Sequence, residues 1–116
     1  MFRFLMPLAL LLASACEEET LVACTDDLRY AIDLTVVDDS GVPIPEATVT
    51  YSVDGGPTED CNGVDGYHSC GPELAGEYEL TIEADGYDVE TVVEEVLEDA
   101  CHVIPAVLEV TLLPTI

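Results

Sequence analysis

Hydrophobic and polar residues alternate along most of the chain after Cys24. This period of two is the pattern of β-strands that bury one face and expose the other. Segment 92–98 also has a weak helical spacing, but we expect a strand followed by a loop there. The alternating runs predict strands over residues 30–37, 47–54, 77–84, 87–94 and 107–113.

Turn signals separate these predicted strands. Residues 38–41 (DDSG) form a turn cluster, 55–57 (GGP) end the second strand, and Asp85-Gly86 is typical of a tight hairpin. Glutamates dominate the second face of the later strands, and carboxylates without cationic partners are not buried. One face of each predicted sheet therefore packs into the core, and the other face is exposed to water. About five to seven strands with turns every 8–12 residues predict an all-β sandwich.

The charge balance of the chain argues against a nucleic-acid partner. The 116 residues include 25 Asp and Glu but only two basic residues, Arg3 and Arg29, for a net charge of −23. Nucleic-acid binding needs clustered lysines and arginines over phosphates, so we expect no nucleic-acid partner. At 49% hydrophobic residues, the chain is also too apolar for a disordered acidic protein. Its length allows one small domain.

The N-terminus has the layout of a secretory signal peptide. A basic n-region (1–3) precedes an apolar stretch, and the small residues Ala13-Ser14-Ala15 lead to Cys16. As a helix, residues 4–15 would span roughly 18 Å at about 1.5 Å per residue. That length is short of the ~30 Å hydrocarbon core, so we predict a cleaved leader over residues 1–15 and no stable transmembrane helix.

The sequence Leu12-Ala13-Ser14-Ala15-Cys16 resembles the lipobox of bacterial lipoproteins, although Leu12 lies one place farther from the cysteine than is usual. The resemblance implies a diacylglyceryl group on the Cys16 sulfur, cleavage before Cys16, and acylation of its new amine, commonly with palmitate. Glu17 after the cysteine implies release to the outer membrane. Residues 16–27 would be a lipidated tether and residues 28–116 the domain. Ordinary cleavage after Ala15, which would leave Cys16 as a free or paired thiol, is the alternative.

Three segments of the predicted domain resemble carboxypeptidase regulatory-like domains. These are DSGVPIPEATVT (39–50), DGY (65–67) and GEYELTIEADGY (76–87), and their order and spacing agree with that family over roughly residues 28–113. The resemblance implies a seven-stranded, transthyretin-like (prealbumin-like) β-sandwich that is non-catalytic and common in bacterial envelope proteins. Glu46 stands where the family usually has glycine. The cysteines are a second departure.

Without Cys16, the chain has an even set of four cysteines. Four cysteines allow three pairings. We favour Cys61–Cys70, because residues 62–66 (NGVDG) turn the chain between them. Cys24–Cys101 would then link the approach to the first strand with the approach to the last. An exported domain of this size, with a modest core, would gain stability from such disulfides.

A zinc site is the alternative use of the same residues, with Cys61, His68, Cys70 and either Cys101 or His102 as ligands. Zinc needs four converging nitrogen or sulfur ligands, and this spacing matches no common zinc module. We therefore predict disulfides and no metal site. The two histidines are expected at exposed or edge positions.

The sequence shows no catalytic motif. It has no G-x-S-x-G segment, and its many carboxylates pair by chance, so we expect no enzyme activity and no cofactor. The predicted role is that of a cell-envelope lipoprotein. Its anchor would be Cys16, and its β-sandwich would contact an envelope protein or a glycan. The alternative is a ligand-binding module for calcium, a cationic peptide or a carbohydrate.

Overall fold

The computed structural model describes residues 24–116, and within this range the protein is built from strands, turns and loops. No helix in this part of the chain is long and apolar enough to cross a membrane. The predictions for the leader, for Cys16 and for the tether up to residue 23 lie outside the described residues. The eight strands are β1 (Tyr30–Val37), β2 (Thr48–Val53), β3 (Glu59–Asp60), β4 (Asn62–Val64), β5 (Tyr67–Pro72), β6 (Gly76–Glu83), β7 (Glu90–Val96) and β8 (Ala106–Thr111).

The strands form two four-stranded sheets, which confirms the all-β sandwich. Sheet A has the order β4-β5-β1-β8 and sheet B the order β3-β2-β6-β7. All pairings are antiparallel except that of β1 with β8, which is parallel. Residues 24–116 contain eight strands, whereas the family resemblance implies seven. Only Cys61 separates β3 from β4, because the chain passes from sheet B to sheet A there.

The core lies between the two sheets and follows the predicted alternation. In β1, Ile32, Leu34 and Val36 are buried, and they face the buried residues of sheet B. Tyr78 is fully buried and its ring stacks on Tyr51 with centroids 5.5 Å apart. Every second residue of β1, β2 and β6 therefore contributes to one apolar layer, as expected for two packed sheets.

The connection between β6 and β7 differs from the tight hairpin predicted at Asp85-Gly86. Strand β7 begins at Glu90, so Tyr87 and Val89 belong to the connection. Gly86 has a φ of 87°, and the Tyr87 N–H donates to the Ala84 carbonyl, which closes a turn. The chain then pairs with the C-terminal segment before it rejoins the sheet: Tyr87 bridges Pro114. This C-terminal pairing, which no local pattern indicates, delays the start of β7.

The four cysteines form two disulfides, Cys24–Cys101 and Cys61–Cys70. This is the pairing favoured from the sequence. The second disulfide lies where the chain crosses between the sheets. Because β3 and β4 are adjacent in sequence, they form the edges on one side of the sandwich. Strands β7 and β8 therefore form the edges on the opposite side.

Candidate functional site

The described chain begins with a segment that is bound to the end of the sandwich. Cys24 forms its disulfide with Cys101 in the loop between β7 and β8. The next residue, Thr25, places its Oγ1 3.1 Å from Nε2 of His102. Residues 24–27, which the sequence analysis grouped with the tether, therefore contact the domain directly.

His102 is the centre of this polar cluster. It is buried, with an exposed fraction of 9%, and its Nδ1 lies 2.6 Å from Oε2 of Glu73. The Glu73 carboxylate also accepts hydrogen bonds from the backbone N–H groups of Arg29 at 3.0 Å and Val103 at 3.3 Å. The expectation of an exposed or edge histidine is wrong here. The β7–β8 loop turns back so that the ring meets the β5–β6 connection.

Three carboxyl groups of the cluster have lowered pKa values, and Glu73 and Asp99 are two of them. The hydrogen bond from the His102 ring is the main reason that the pKa of Glu73 lies below its ordinary value, and the backbone N–H groups of Arg29 and Val103 add to it. The pKa of Asp99 is lowered mainly by the backbone N–H of His102, followed by that of Cys101. Hydrogen bonds to the ionised form explain both shifts.

Asp27 completes the cluster on the side of the N-terminal segment. The hydrogen bond from the Thr25 hydroxyl, and then that from the Arg29 guanidinium, lower the pKa of Asp27 to about 2. Arg29 Nε donates to Asp27 Oδ2 at 2.9 Å. Arg29 is the only basic residue of the domain, so the remaining carboxylates of this region have no arginine or lysine partner among residues 24–116.

The cluster opens into a groove of about 420 Å³ lined by Thr25, Glu73, His102 and further acidic residues. Thr25, His102 and Glu73 stand in the order hydroxyl, imidazole, carboxylate, which is the order of a catalytic triad. Catalysis by such a set also needs donors for a developing oxyanion. The backbone N–H groups of Cys101 and His102 already donate to Asp99 Oδ1. The contacts of Thr25 and Glu73 with His102 bind the N-terminal segment to the domain.

His68 is also buried, with an exposed fraction of 5%, so the expectation of an exposed or edge position is wrong here too. It points inward from β5 beside Cys70, two residues along the same strand face. Its ring lies against Gly63 of β4, whose missing Cβ makes the room. Neither ring nitrogen has a hydrogen-bond partner within the described chain, and burial lowers the pKa of His68.

The sulfur atoms of the alternative zinc set are all in disulfides. Cys61 is bonded to Cys70, and Cys101 to Cys24, so none of them is a thiolate ligand in this structure. Between residues 24 and 116, no group of three or more His, Cys, Asp or Glu side chains is arranged to hold a metal ion. The structure thus joins Cys61 and Cys70 by a covalent bond.

The outer face of sheet A is the other candidate site. The residues that alternate with the buried ones form two rows across the sheet, Asn62–Ser69–Asp33–Val107 and Val64–Tyr67–Thr35–Glu109. Only two of these eight residues are acidic. Val64, Tyr67 and Val107 are all exposed, Val107 by 80%. A shallow concavity of about 230 Å³ lies between Tyr67 and Val107.

The outer face of sheet B differs in charge. Its central row is Asp60–Thr50–Thr81–Thr91, and the rows beside it include Glu77, Glu79, Glu83 and Glu95. Glu77 and Glu95 are directly opposite each other, an arrangement of like charges that needs water around it. Sheet B therefore has a mainly acidic, solvated outer face on which Val93 is exposed, whereas sheet A exposes Val64, Tyr67 and Val107 and has fewer acidic residues.

Comparison with known proteins supports the fold alone. No family model and no curated protein sequence matches this chain. Among solved structures, the chain is similar to a 3-chlorocatechol 1,2-dioxygenase from Rhodococcus opacus 1CP, with a TM-score of 0.52 and 10% sequence identity. The similarity covers 79% of this chain and 62% of the dioxygenase chain, so this chain spans less than two thirds of that protein. At this identity the match shows a shared fold alone.

Proposed function

We propose that this protein is a cell-envelope lipoprotein that holds a non-catalytic, carboxypeptidase regulatory-like β-sandwich at the membrane surface. In this proposal the leader (1–15) is removed, and acyl chains including palmitate anchor Cys16, most simply in the outer membrane. The domain then contacts an envelope protein or glycan. One observation carries the proposal: the outer face of sheet A exposes Val64, Tyr67 and Val107 on a chain that is otherwise strongly acidic.

Rigid strands make this face suitable for recognition. Tyr67 lies on β5, which pairs with both β4 and β1, so its ring is held by strands on two sides. Exposed aromatic and aliphatic residues rimmed by polar groups are typical of interaction surfaces, and Tyr is enriched in them. Asp33, Thr35 and Ser69 next to Tyr67 supply hydrogen-bonding groups for a protein or a sugar.

The position of Cys24 fits a short tether. Because Cys24 is bonded to Cys101, the free tether would run only from Cys16 to Cys24. Eight extended residues reach at most about 28 Å. The domain would therefore stay close to the headgroups, and its acidic groups would be repelled by anionic lipid. That repulsion favours contacts with envelope components over adhesion to the bilayer.

Site-specific photo-crosslinking tests the proposed role. A photoreactive amino acid would replace Tyr67 on the outer face of sheet A, and, as the matched control, Thr91 on the outer face of sheet B. Irradiation of intact cells should give a discrete covalent adduct from position 67 and none from position 91. Equal adducts from the two positions, or none from either, would contradict the proposed role of this face.

A further inference from the structure

The four edge strands of the sandwich are unequally protected against pairing with another chain. An edge strand presents unpaired N–H and C=O groups, and proteins usually blunt it by shortness, charge, proline or a bulge. Strands β3 and β4 have only two and three residues. Strand β7 has seven residues, but three of them are glutamates, Glu90, Glu94 and Glu95.

Strand β8 has fewer of these protections. Its six residues, AVLEVT, contain one charge, Glu109, and no proline or glycine. Its strand partner within the described chain is β1, in an unbroken parallel register from Ala106 to Thr111. Every second residue of β8 therefore directs its backbone groups away from β1. Val107, exposed by 80%, is the most exposed large hydrophobic residue within any strand of the structure.

We propose that the free edge of β8 is a strand-addition site for an extended, lysine- or arginine-rich segment of another protein. This inference rests on the interaction role proposed above. It specifies the strand edge that binds, the mode of binding and the class of partner. An added strand would extend sheet A, and backbone hydrogen bonds to β8 would supply affinity while alternate side chains supplied specificity.

Charge complementarity identifies the partner class. The chain has a net charge of −23, and Arg29 is the only basic residue in the described part. A second copy of this chain would bring two strongly negative domains together, whereas a basic segment would be attracted to both the edge and its surroundings. Glu98 and Asp99 in the loop that leads to β8 extend the acidic region toward the start of the strand.

The register also sets the pattern of the added strand. Val107 and Glu109 share the outer face of sheet A, two residues apart. An added strand should place an apolar residue beside Val107 and a basic residue beside Glu109, because directly opposite side chains interact most strongly. The expected segment therefore has apolar and basic residues two positions apart on one face.

The test uses the full mature protein and synthetic peptides. The probe peptide carries valine and lysine two positions apart on each face. One control peptide has glutamate in place of lysine, and a second has a central proline that removes a backbone donor. Val107→Lys adds a repelling charge at the β8 edge. Val93→Lys adds the same charge to an exposed valine of the β7 edge and serves as the matched control.

The proposal predicts that the lysine peptide binds and that the proline and glutamate peptides each bind at least about tenfold more weakly. Val107→Lys should weaken binding of the lysine peptide by about tenfold or more, and Val93→Lys should leave it within about twofold. Hydrogen exchange of the β8 amides that point away from β1 should be fast in the free protein and slow in the complex.

Three results would overturn the proposal. Equal losses in Val107→Lys and Val93→Lys would show general charge attraction without a site. Slow exchange, before peptide is added, of the β8 amides that point away from β1 would show that this chain already covers the edge. A dimer that Val107→Lys dissociates would show that a second copy covers it. If these occur while position 67 still gives its covalent adduct, the strand-addition inference fails and the proposed function stands.

Discussion

Gly71 lies directly against the hydroxyl group of Tyr78, so a Cβ at position 71 would overlap that hydroxyl. Gly71 also has a φ of 70°, in the left-handed region that favours glycine. The Tyr78 hydroxyl donates to the Leu74 carbonyl at 2.5 Å, and burial raises the pKa of Tyr78 to about 12. The end of β5 and the start of β6 are thus fitted around one buried phenol.

Gly71→Ala should be strongly destabilising. Overlap with a buried side chain and a left-handed backbone together predict a loss of about 2 to 4 kcal/mol in the free energy of unfolding. Gly41→Ala is the matched control, since Gly41 has a φ of 83° and open space at its Cβ position. It should lose only about 1 kcal/mol. Urea unfolding of both variants checks this, and equal losses would show that contact with Tyr78 is unimportant.

The buried His68 predicts a pH dependence of stability. Burial lowers the pKa of His68 in the folded state below the ordinary value of 6.5. Between the two pKa values the unfolded chain binds more protons, so the free energy of unfolding should fall as the pH drops below about 6.5. His68→Leu removes both the titration and two unpartnered ring nitrogens, each of which costs about 1 to 3 kcal/mol when buried without a partner.

His68→Leu should therefore be at least as stable as the wild type at neutral pH, and its advantage should grow as the pH falls from 6.5 toward 5. Urea midpoints of both proteins across this range measure the difference. A difference that stays constant with pH would contradict the assignment of a neutral, buried imidazole.

Long runs of alternating residues made most of the fold predictable. The buried faces of β1, β2 and β6 follow apolar periodicity directly. Strand β5 was not predicted, although it lies inside sheet A between β4 and β1. Its sequence, YHSCGP, buries a histidine and a half-cystine, which apolar periodicity does not detect.

The polar cluster around His102 could not be predicted from sequence patterns, because its members lie far apart in the sequence. His102 contacts Glu73, which is 29 residues away in the sequence, and Thr25, which is 77 residues away. These residues lie in loops whose paths depend on the whole sandwich. The disulfides were easier to predict. The short turn between Cys61 and Cys70 favours that pair, which leaves Cys24 and Cys101 for the other.

Glu73→Gln tests the link between the N-terminal segment and the domain. The lowered pKa of Glu73 means that its ionised form stabilises the folded state at a pH above the unfolded pKa, and that this contribution is lost as the pH falls through the folded value. The variant should have a lower urea midpoint than the wild type at pH 7, and the difference should vanish in acid. Glu98→Gln, at the exposed side of the same groove, is the control and should change the midpoint little. A difference that persists in acid would contradict the role of the ionised carboxylate.

The two disulfides should contribute unequally to stability. Cys24–Cys101 closes 77 residues and Cys61–Cys70 closes nine. The chain-entropy relation gives about 4.5 kcal/mol for the long loop and about 2.5 kcal/mol for the short one. Double replacement of each pair by alanine, followed by urea unfolding, should show the larger loss for Cys24–Cys101. The reverse order would indicate that packing at the sheet crossover dominates.

The most direct test of the proposed envelope lipoprotein is the intact mass of the protein extracted from membranes with detergent, measured before and after reduction. The proposal predicts a chain that begins at Cys16, carries the added mass of acyl groups there, and gains about 4 Da on reduction of two disulfides. A chain that retains residues 1–15, or one that begins at Cys16 without acyl mass, would contradict it.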